Sequence, residues 1–405
     1  MSTIGVLGGG QLGRMLALAG VPLGLRFRFY DPAPEAPAAD LGEHVCAGWD
    51  DLASLQRFAA GLDVATFEFE NVPVTAATAV AGHARLYPSP SALQVTQDRL
   101  EEKQFLRRLG LHTATFAAAD ASDDVAGAVA SIGFPAVAKQ RRHGYDGRGQ
   151  LVVRTPAEAE QAWDALGREP LVIEAFVPFE RELSLVAVRS RDGDIRYYPL
   201  VENHHANGIL RWALAPAPGM SANLQGAAEQ AAARILDSLD YVGVLTIEFF
   251  ERRGRLLVNE LAPRVHNSGH WTIEGAESSQ FENHLRAILG LPLGSTRAVG
   301  WSVLHNVIGA LPDTAAILAQ PRTHLHLYGK APRPGRKLGH VTARVAEAGD
   351  VATRVRTLHN LLDTASGPPV ISGDPPPHGA GGMECAVHGA GWDAAQSLVP
   401  PRGAL

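Results

Sequence analysis

The first segment restricts the fold most. Thr3-Ile4-Gly5-Val6-Leu7 is a short apolar run of strand character, Gly8-Gly9-Gly10 is a tight turn, and Leu12, Met15, Leu16 and Ala19 then recur at helical spacing. A strand that passes through glycine directly into a helix opens a βαβ unit. Leu25 to Tyr30 reads as a second strand ending at Asp31-Pro32, and Val64-Ala65-Thr66-Phe67-Glu68-Phe69-Glu70 as another, with carboxylates near its C-terminal end. Alternating strands and helices predict an α/β chain with a parallel sheet, whose ligands gather at the C-terminal strand ends. The turn also fits G-x-G-x-x-G through Gly8, Gly10 and Gly13, and Asp31 ends the next strand. Alone, this is the dinucleotide fingerprint. A bare tight turn and a site for a different phosphate satisfy the same residues, because glycine lets backbone N–H groups approach an anion at a helix N-terminus. The rest of the chain has to decide.

Composition removes several classes. The 405 residues allow two or three domains at about 150 residues each. With 46% hydrophobic and 19% charged residues, the chain is neither disordered nor fibrous. No stretch approaches the ~18 uncharged apolar residues of a membrane span. The N-terminus has no basic region and no cleavage site, so no secretory signal is expected. Cys46 and Cys385 lie far apart, which excludes a disulfide framework and makes a reducing cytoplasm the natural setting. Lys and Arg number 36 against 42 Asp and Glu, a net charge of −6, which makes nucleic acid a poor partner.

The chain turns at Tyr87-Pro88-Ser89-Pro90, and a charged helix from about Asp98 to Leu109, with Gly110 as its C-cap, marks a first boundary. The stretch to Pro199 carries short strands (136–139, 151–153 and 171–174) around a glycine loop and reads as a small α+β lobe. A helix near 227–239 follows, then strands at 242–250 and 256–261 joined by a hairpin turn at Glu251-Arg252-Arg253-Gly254. Residues 366–405 are rich in Gly and Pro and read as a tail outside the fold.

Two constellations carry chemistry. Lys139-Gln140-Arg141-Arg142-His143-Gly144-Tyr145-Asp146-Gly147-Arg148-Gly149-Gln150 is basic and glycine-rich. Such a loop folds over a triphosphate with backbone N–H donors and Arg or Lys charge. It is not a Walker loop, because no Gly-Lys-Ser/Thr follows; the bland reading is an exposed hairpin with a basic tip. Glu248 and Glu260 lie on the two strands of the later hairpin, almost opposite each other, each interrupting an apolar run. A charge there is costly unless paired. Two convergent carboxylates with the Asn259 amide oxygen suit Mg²⁺ shared with nucleotide phosphates; two salt-bridged edge residues are the bland alternative. Arg264-Val265-His266-Asn267-Ser268-Gly269-His270-Trp271 follows. His266 and His270 are four apart, yet Asn267 stands where H-E-x-x-H needs Glu. The run reads as a polar loop aimed at a small anion, with Arg264 as a forked donor.

With these residues in view the chain resembles the ATP-grasp superfamily, and within it the 5-(carboxyamino)imidazole ribonucleotide synthases of purine biosynthesis. The resemblance covers about residues 3–345. It rests on Gly8 to Met15, Gln97 to Leu100, Gly144 to Gln150, Glu202-Asn203-His204-His205, Asn259 to Trp271, and Arg333-Pro334-Gly335-Arg336-Lys337-Leu338-Gly339-His340, in that order. It implies a Rossmann-like N-terminal domain (1–97), a mobile ATP-binding lid (98–199) and a C-terminal catalytic domain (200–365) before the 366–405 tail. It implies ATP held by Arg99, Lys139, the loop Gly144, Tyr145, Asp146, Gly147, Arg148, Gly149 and Gln150, the hinge strand Glu174, Ala175, Phe176 and Val177, and Glu182, His205, Asn259 and Glu260. Mg²⁺ would lie on Glu248 and Glu260. Gln11, Leu12, Ser268, Lys330, Arg336 and Lys337 would take the ribonucleotide, so that the N-terminal glycine turn serves this substrate and not a nicotinamide cofactor. The family has two glycines before Tyr145; here the first is His143.

The implied reaction joins bicarbonate to the exocyclic amine of aminoimidazole ribonucleotide through carboxyphosphate, at the expense of ATP. Arg264, His266 and Asn267 would hold bicarbonate, Asp146 would orient the amine, and His266, with an ordinary pKa near neutrality, would carry protons. The implied assembly is a homodimer, with no nucleic acid and no membrane partner. A formate-dependent transformylase or a biotin carboxylase shares the grasp machinery, and the first 31 residues alone would fit an NAD(P)-dependent oxidoreductase.

Overall fold

The structure, a computed structural model, describes residues 2–144 and 147–362. Tyr145, Asp146 and the 366–405 segment lie outside the described residues. Three sheets build the molecule. The first has the order β3-β2-β1-β4, all parallel: β1 is Thr3–Leu7, β2 Arg26–Tyr30, β3 Glu43–Val45 and β4 Val64–Phe67. Helix α1, Gln11–Gly20, opens directly after the glycine turn as the sequence requires. Strand β4 is shorter than its apolar run. It ends at Phe67, and Glu68 turns inward.

The second sheet is antiparallel, in the order β5-β8-β6-β7, with β5 Phe116–Ala119, β6 Ala136–Gln140, β7 Gln150–Val153 and β8 Leu171–Ala175. Its leading helix, α2, runs Arg99–Arg108. The Asp98 carboxylate caps it by accepting from Leu100 N–H at 3.0 Å. Acids fill its first turn and arginines its last, in line with the helix dipole. Gly110, at φ +71, then turns the chain away.

The third sheet has nine strands: β9 Arg181–Arg189, β10 Ile195–Tyr197, β11 Val201–Ala206, β12 Ile209–Ala215, β13 Gly243–Arg252, β14 Arg255–Ala262, β15 Trp301–Ile308, β16 Thr323–Leu327 and β17 Lys337–Val345. Strand β9 belongs to the 98–199 stretch of sequence, yet it pairs with β13 and β11 of this large sheet. Helix α3, Ala222–Ser238, covers one part of the sheet with Leu224, Ala228, Ile235 and Leu236. Helix α4, Gln280–Leu289, joins the large sheet to the first one. Its Phe281, Leu285 and Ile288 share one core with Ile4, Leu16 and Phe29 on one side and Val188 and Val244 on the other. Buried His284 completes this joint. Its Nδ1 accepts from Val244 N–H at 3.1 Å, and its Nε2 lies 2.8 Å from Thr66 Oγ1. Among the described residues no helix is long and apolar enough to cross a membrane.

Candidate active site

The C-terminal ends of the first sheet, the hairpin β6–β7 and the face of β13–β14 enclose one cleft of about 940 Å³. At its first wall, the glycine turn is already occupied. Gly13 N–H donates to Glu68 Oε2 at 2.7 Å, Gly10 N–H to Glu68 Oε1, and Gly9 N–H to Asp31 Oδ2 at 2.8 Å. A Cβ on Gly10 would lie 2.3 Å from Glu68 Oε1, so glycine is needed for the approach of a carboxylate. An internal carboxylate holds the helix N-terminus that a dinucleotide pyrophosphate would take. Burial pushes the Glu68 pKa up, against the pull of the two glycine N–H donors. What α1 shows to the cleft is Gln11 and Leu12, and Gln11 Oε1 accepts from Lys330 Nζ.

On the opposite wall Glu248 and Glu260 are direct cross-strand partners. The ladder slips by one residue immediately afterwards, so Asn259 has no opposite number: the strand is bulged here. The Asn259 Oδ1 atom is buried without a hydrogen-bond partner. Burial and then the Glu260 charge push the Glu248 carboxyl up to about 8, a lack of positive charge that a cation corrects. Two facing carboxylates and an orphaned amide oxygen form an all-oxygen half-site that fits Mg²⁺, with phosphate oxygens left to complete its shell. Arg99 Nη2 stands 3.9 Å from Glu260 Oε2, and its guanidinium also donates to Gln140 O and Gly144 O, which ties the glycine loop to α2.

The loop is a hairpin between β6 and β7. Gly144, Gly147, Arg148 and Gln150 line the cleft. Gly149 does not: at φ +69 it packs on Gln140, whose Oε1 would be 2.2 Å from an added Cβ. His143, at the position where a second glycine was expected, has φ +64. That left-handed backbone costs a side-chain-bearing residue about 1–2 kcal/mol. Behind the loop, Lys139 Nζ is 3.1 Å from Glu174 Oε1. Burial raises the Glu174 pKa, but Lys103 and Lys139 outweigh it and hold the carboxyl at about 2. Ala175, Phe176 and Val177 continue along the cleft. Phe179 and Phe250, both on the wall, stack at 4.7 Å and 7°. Glu182 pairs with His205 Nδ1; burial works against the imidazolium, and Glu182 overcomes it to set His205 at about 9.

Arg264 points its Nε at Glu70 and donates from Nη1 to Val265 O at 3.1 Å. Burial opposes ionisation of Glu70, and Arg264 outweighs it. His266 departs from the sequence expectation. Burial, reinforced by Arg264, holds its pKa well below the ordinary value, so the ring is neutral. A hydroxyl chain fixes its tautomer. Asn203 Nδ2 donates to Ser184 Oγ at 3.0 Å, Ser184 Oγ to Ser268 Oγ at 2.8 Å, and Ser268 Oγ lies 2.9 Å from His266 Nδ1. The Ser268 hydroxyl thus donates to Nδ1, and the His266 proton sits on Nε2, 3.5 Å from Glu248 Oε1. Ser268, expected to touch substrate, is fully buried behind His266 and absent from the cleft wall. Asn267 is locked in a two-way amide pair with Asn306, at 3.0 and 2.7 Å. Lys330, Arg336 and Lys337 line the far end of the cleft. Arg336 Nη1 donates to Ala331 O at 3.2 Å.

Sequence reasoning missed Phe179, Phe250, Glu70, Asn306 and the plug made by Glu68. The carboxylates after β4 were visible, but nothing in the chain said which backbone they would reach. Phe250 ended a strand read only for its apolar pattern, and nothing near Phe179 singled it out.

Residues 1–97 match the ribonucleotide synthetase preATP-grasp domain, 104–281 the ATP-grasp domain, and 302–354 the phosphoribosylaminoimidazole carboxylase C-terminal domain. The N5-carboxyaminoimidazole ribonucleotide synthase of Pseudomonas aeruginosa is 52% identical over 89% of this chain and 99% of its own length. That of Brucella melitensis is 46% identical over 84% and 96%. The chain belongs to the N5-carboxyaminoimidazole ribonucleotide synthase family. Crystal structures agree. The N5-carboxyaminoimidazole ribonucleotide synthetase of Thermus thermophilus superposes with a TM-score of 0.85 at 55% identity, covering 89% of this chain and 98% of that one. The Aspergillus clavatus N5-carboxyaminoimidazole synthase, in complex with ADP and 5-aminoimidazole ribonucleotide, gives 0.83 at 32% identity over 90% and 99%. In this N5-carboxyaminoimidazole ribonucleotide synthase family member, the ATP-grasp match runs from within α2 through β14 and into α4. It therefore contains both the lobe hairpin and the paired carboxylates.

Proposed function

We propose that the protein carboxylates the exocyclic amine of 5-aminoimidazole ribonucleotide, using ATP and bicarbonate, to give N5-carboxyaminoimidazole ribonucleotide in purine biosynthesis. The observation that carries this reading is the facing pair Glu248 and Glu260 with the orphaned Asn259 oxygen, in a chain with the family identity given above.

In this reading a bicarbonate oxygen attacks the γ-phosphorus, the bond to the β-phosphate oxygen breaks, and carboxyphosphate and ADP form. The amine nitrogen then attacks the carboxyl carbon, the carbon–oxygen bond to phosphate breaks, and the nitrogen loses a proton. Glu248 and Glu260 would hold magnesium, which would supply positive charge to the transferring phosphoryl group. Lys139, Arg148 and Arg99 add side-chain charge on the nucleotide. Phe250 and its stacked neighbour Phe179 offer an apolar face for adenine, with Glu174 to Val177 along its edge and Glu182 at the ribose. Arg264 and Asn267 position bicarbonate, each held rigid by Glu70 and Asn306 in turn. His266 is neutral and carries its proton at Nε2, so that it holds an oxygen by donation. Asp146, outside the described residues, is assigned to the amine. Gln11 and Leu12 face the ribonucleotide, and Lys330, Arg336 and Lys337 its 5′-phosphate. Ser268 acts through His266. We assign the lid role to the β5–β8 lobe, which shields carboxyphosphate from water. The reading also places a homodimer in the cytoplasm; sedimentation tests the assembly.

Labelled bicarbonate tests the chemistry. Label is expected in an acid-labile product only when ATP and aminoimidazole ribonucleotide are both present. Incorporation with biotin as acceptor, or a formyl product from formate, would replace this reading with one of the other grasp activities.

A further inference from the structure

Lys103 lies on α2, buried and outside the cleft wall. A buried lysine is costly unless its charge is met, so its partners are informative. Its Nζ donates to Asn259 O at 2.7 Å and stands 3.2 Å from Glu174 Oε2. The other Glu174 oxygen meets Lys139. The preceding residue, Glu102, accepts from Leu261 N–H through Oε2 at 3.3 Å. Two adjacent side chains of one helix thus hold the main chain on both sides of Glu260. The bulge gives the reason. Asn259 has no partner opposite it in the ladder, so its backbone needs a partner from elsewhere.

We propose that Lys103 is a positioning residue for the nucleotide site. It ties together three elements: α2, the lobe strand β8 through Glu174, and the bulged strand β14 that carries Asn259 and Glu260. It also shares the Glu174 carboxylate with Lys139, each lysine meeting one oxygen, and so fixes that carboxylate in place beside the cleft. In the sequence these residues are only part of a charged helix, and the fold reveals the clamp. The inference rests on the ATP site proposed above.

The test is steady-state kinetics of Lys103→Met and Lys103→Arg beside the wild type, with ATP and aminoimidazole ribonucleotide varied in turn. The expected result for Lys103→Met is a KM for ATP raised at least tenfold, a KM for the ribonucleotide within twofold of wild type, and recovery of the ATP KM to within threefold in Lys103→Arg. If Lys103→Met does not accumulate folded, Lys103→Gln keeps a polar head group while losing the charge on Glu174, and gives the same split. A variant with both KM values unchanged and only kcat lowered would overturn the proposal, because loss of packing alone reduces the active fraction. Wild type that failed to turn over ATP with both co-substrates would instead refute the underlying site.

Discussion

Gly13 N–H donates to Glu68 Oε2 at 2.7 Å, and the second oxygen of the same carboxylate takes Gly10 N–H. A glycine turn built like an anion site therefore holds an anion from its own chain. Replacing Glu68 by Gln leaves one oxygen and removes the charge. The amide leaves one buried glycine N–H without an acceptor, which costs about 1–3 kcal/mol; losing the charge does not add to this, because burial already disfavours the ionised form. Glu68→Gln is expected to lower the unfolding free energy by about 1–2 kcal/mol, read from the urea midpoint. Wild type titrated with NADH is expected to show no fluorescence change. An unchanged midpoint together with NADH binding would show that the turn is open.

The paired carboxylates give the sharpest loss. Glu260→Ala removes half of the proposed cation site, and ATP turnover is expected to fall by at least 100-fold with the circular dichroism spectrum unchanged. Glu260 is half-exposed on the cleft wall, so the fold does not depend on it. Normal, Mg²⁺-dependent activity in this variant would refute the metal assignment.

The aromatic stack separates the two substrates. Phe250→Ala deletes one face of the proposed adenine slot. A base–aromatic stack is worth about 1–3 kcal/mol, so the KM for ATP is expected to rise by about tenfold or more. The KM for the ribonucleotide is expected to stay put. Equal shifts in both would place adenine elsewhere.

Acid is expected to loosen the joint between the sheets. His284 is buried and neutral, with its pKa pushed down by burial to about 4. Unfolded, it takes a proton near 6.5. The unfolded chain therefore binds the extra proton first, and the stability due to the neutral ring is complete above 6.5 and lost as pH falls towards 4. At pH 5 the loss from this residue is about 2 kcal/mol. Urea unfolding of wild type and His284→Gln at pH 7.5 and pH 5 checks this. The gap between the two proteins should shrink by about that amount, and a constant gap would contradict it.

Particular residues show how far the sequence could be read. The strand–glycine–helix start, the basic loop, and the near-opposition of Glu248 and Glu260 followed from spacing, because ladder register and helical period are set by local geometry. His143 was recognisable as a side chain at a glycine position, and its φ is indeed positive. The Glu68 plug, the Asn267–Asn306 pair and the Lys103 clamp were not legible. Each joins residues 39 to 156 positions apart, and no local pattern encodes which buried donor meets which acceptor. The neutrality of His266 is likewise a product of burial, which a ring's ordinary pKa does not reveal.

The central claim is that ATP is cleaved here to activate bicarbonate for transfer to an amine. Phosphate release from ATP, followed with bicarbonate and aminoimidazole ribonucleotide each supplied or withheld, tests it directly. Rapid release is expected only when both are present, and none above background for Glu260→Ala. Release that proceeds at the same rate without either co-substrate would contradict it.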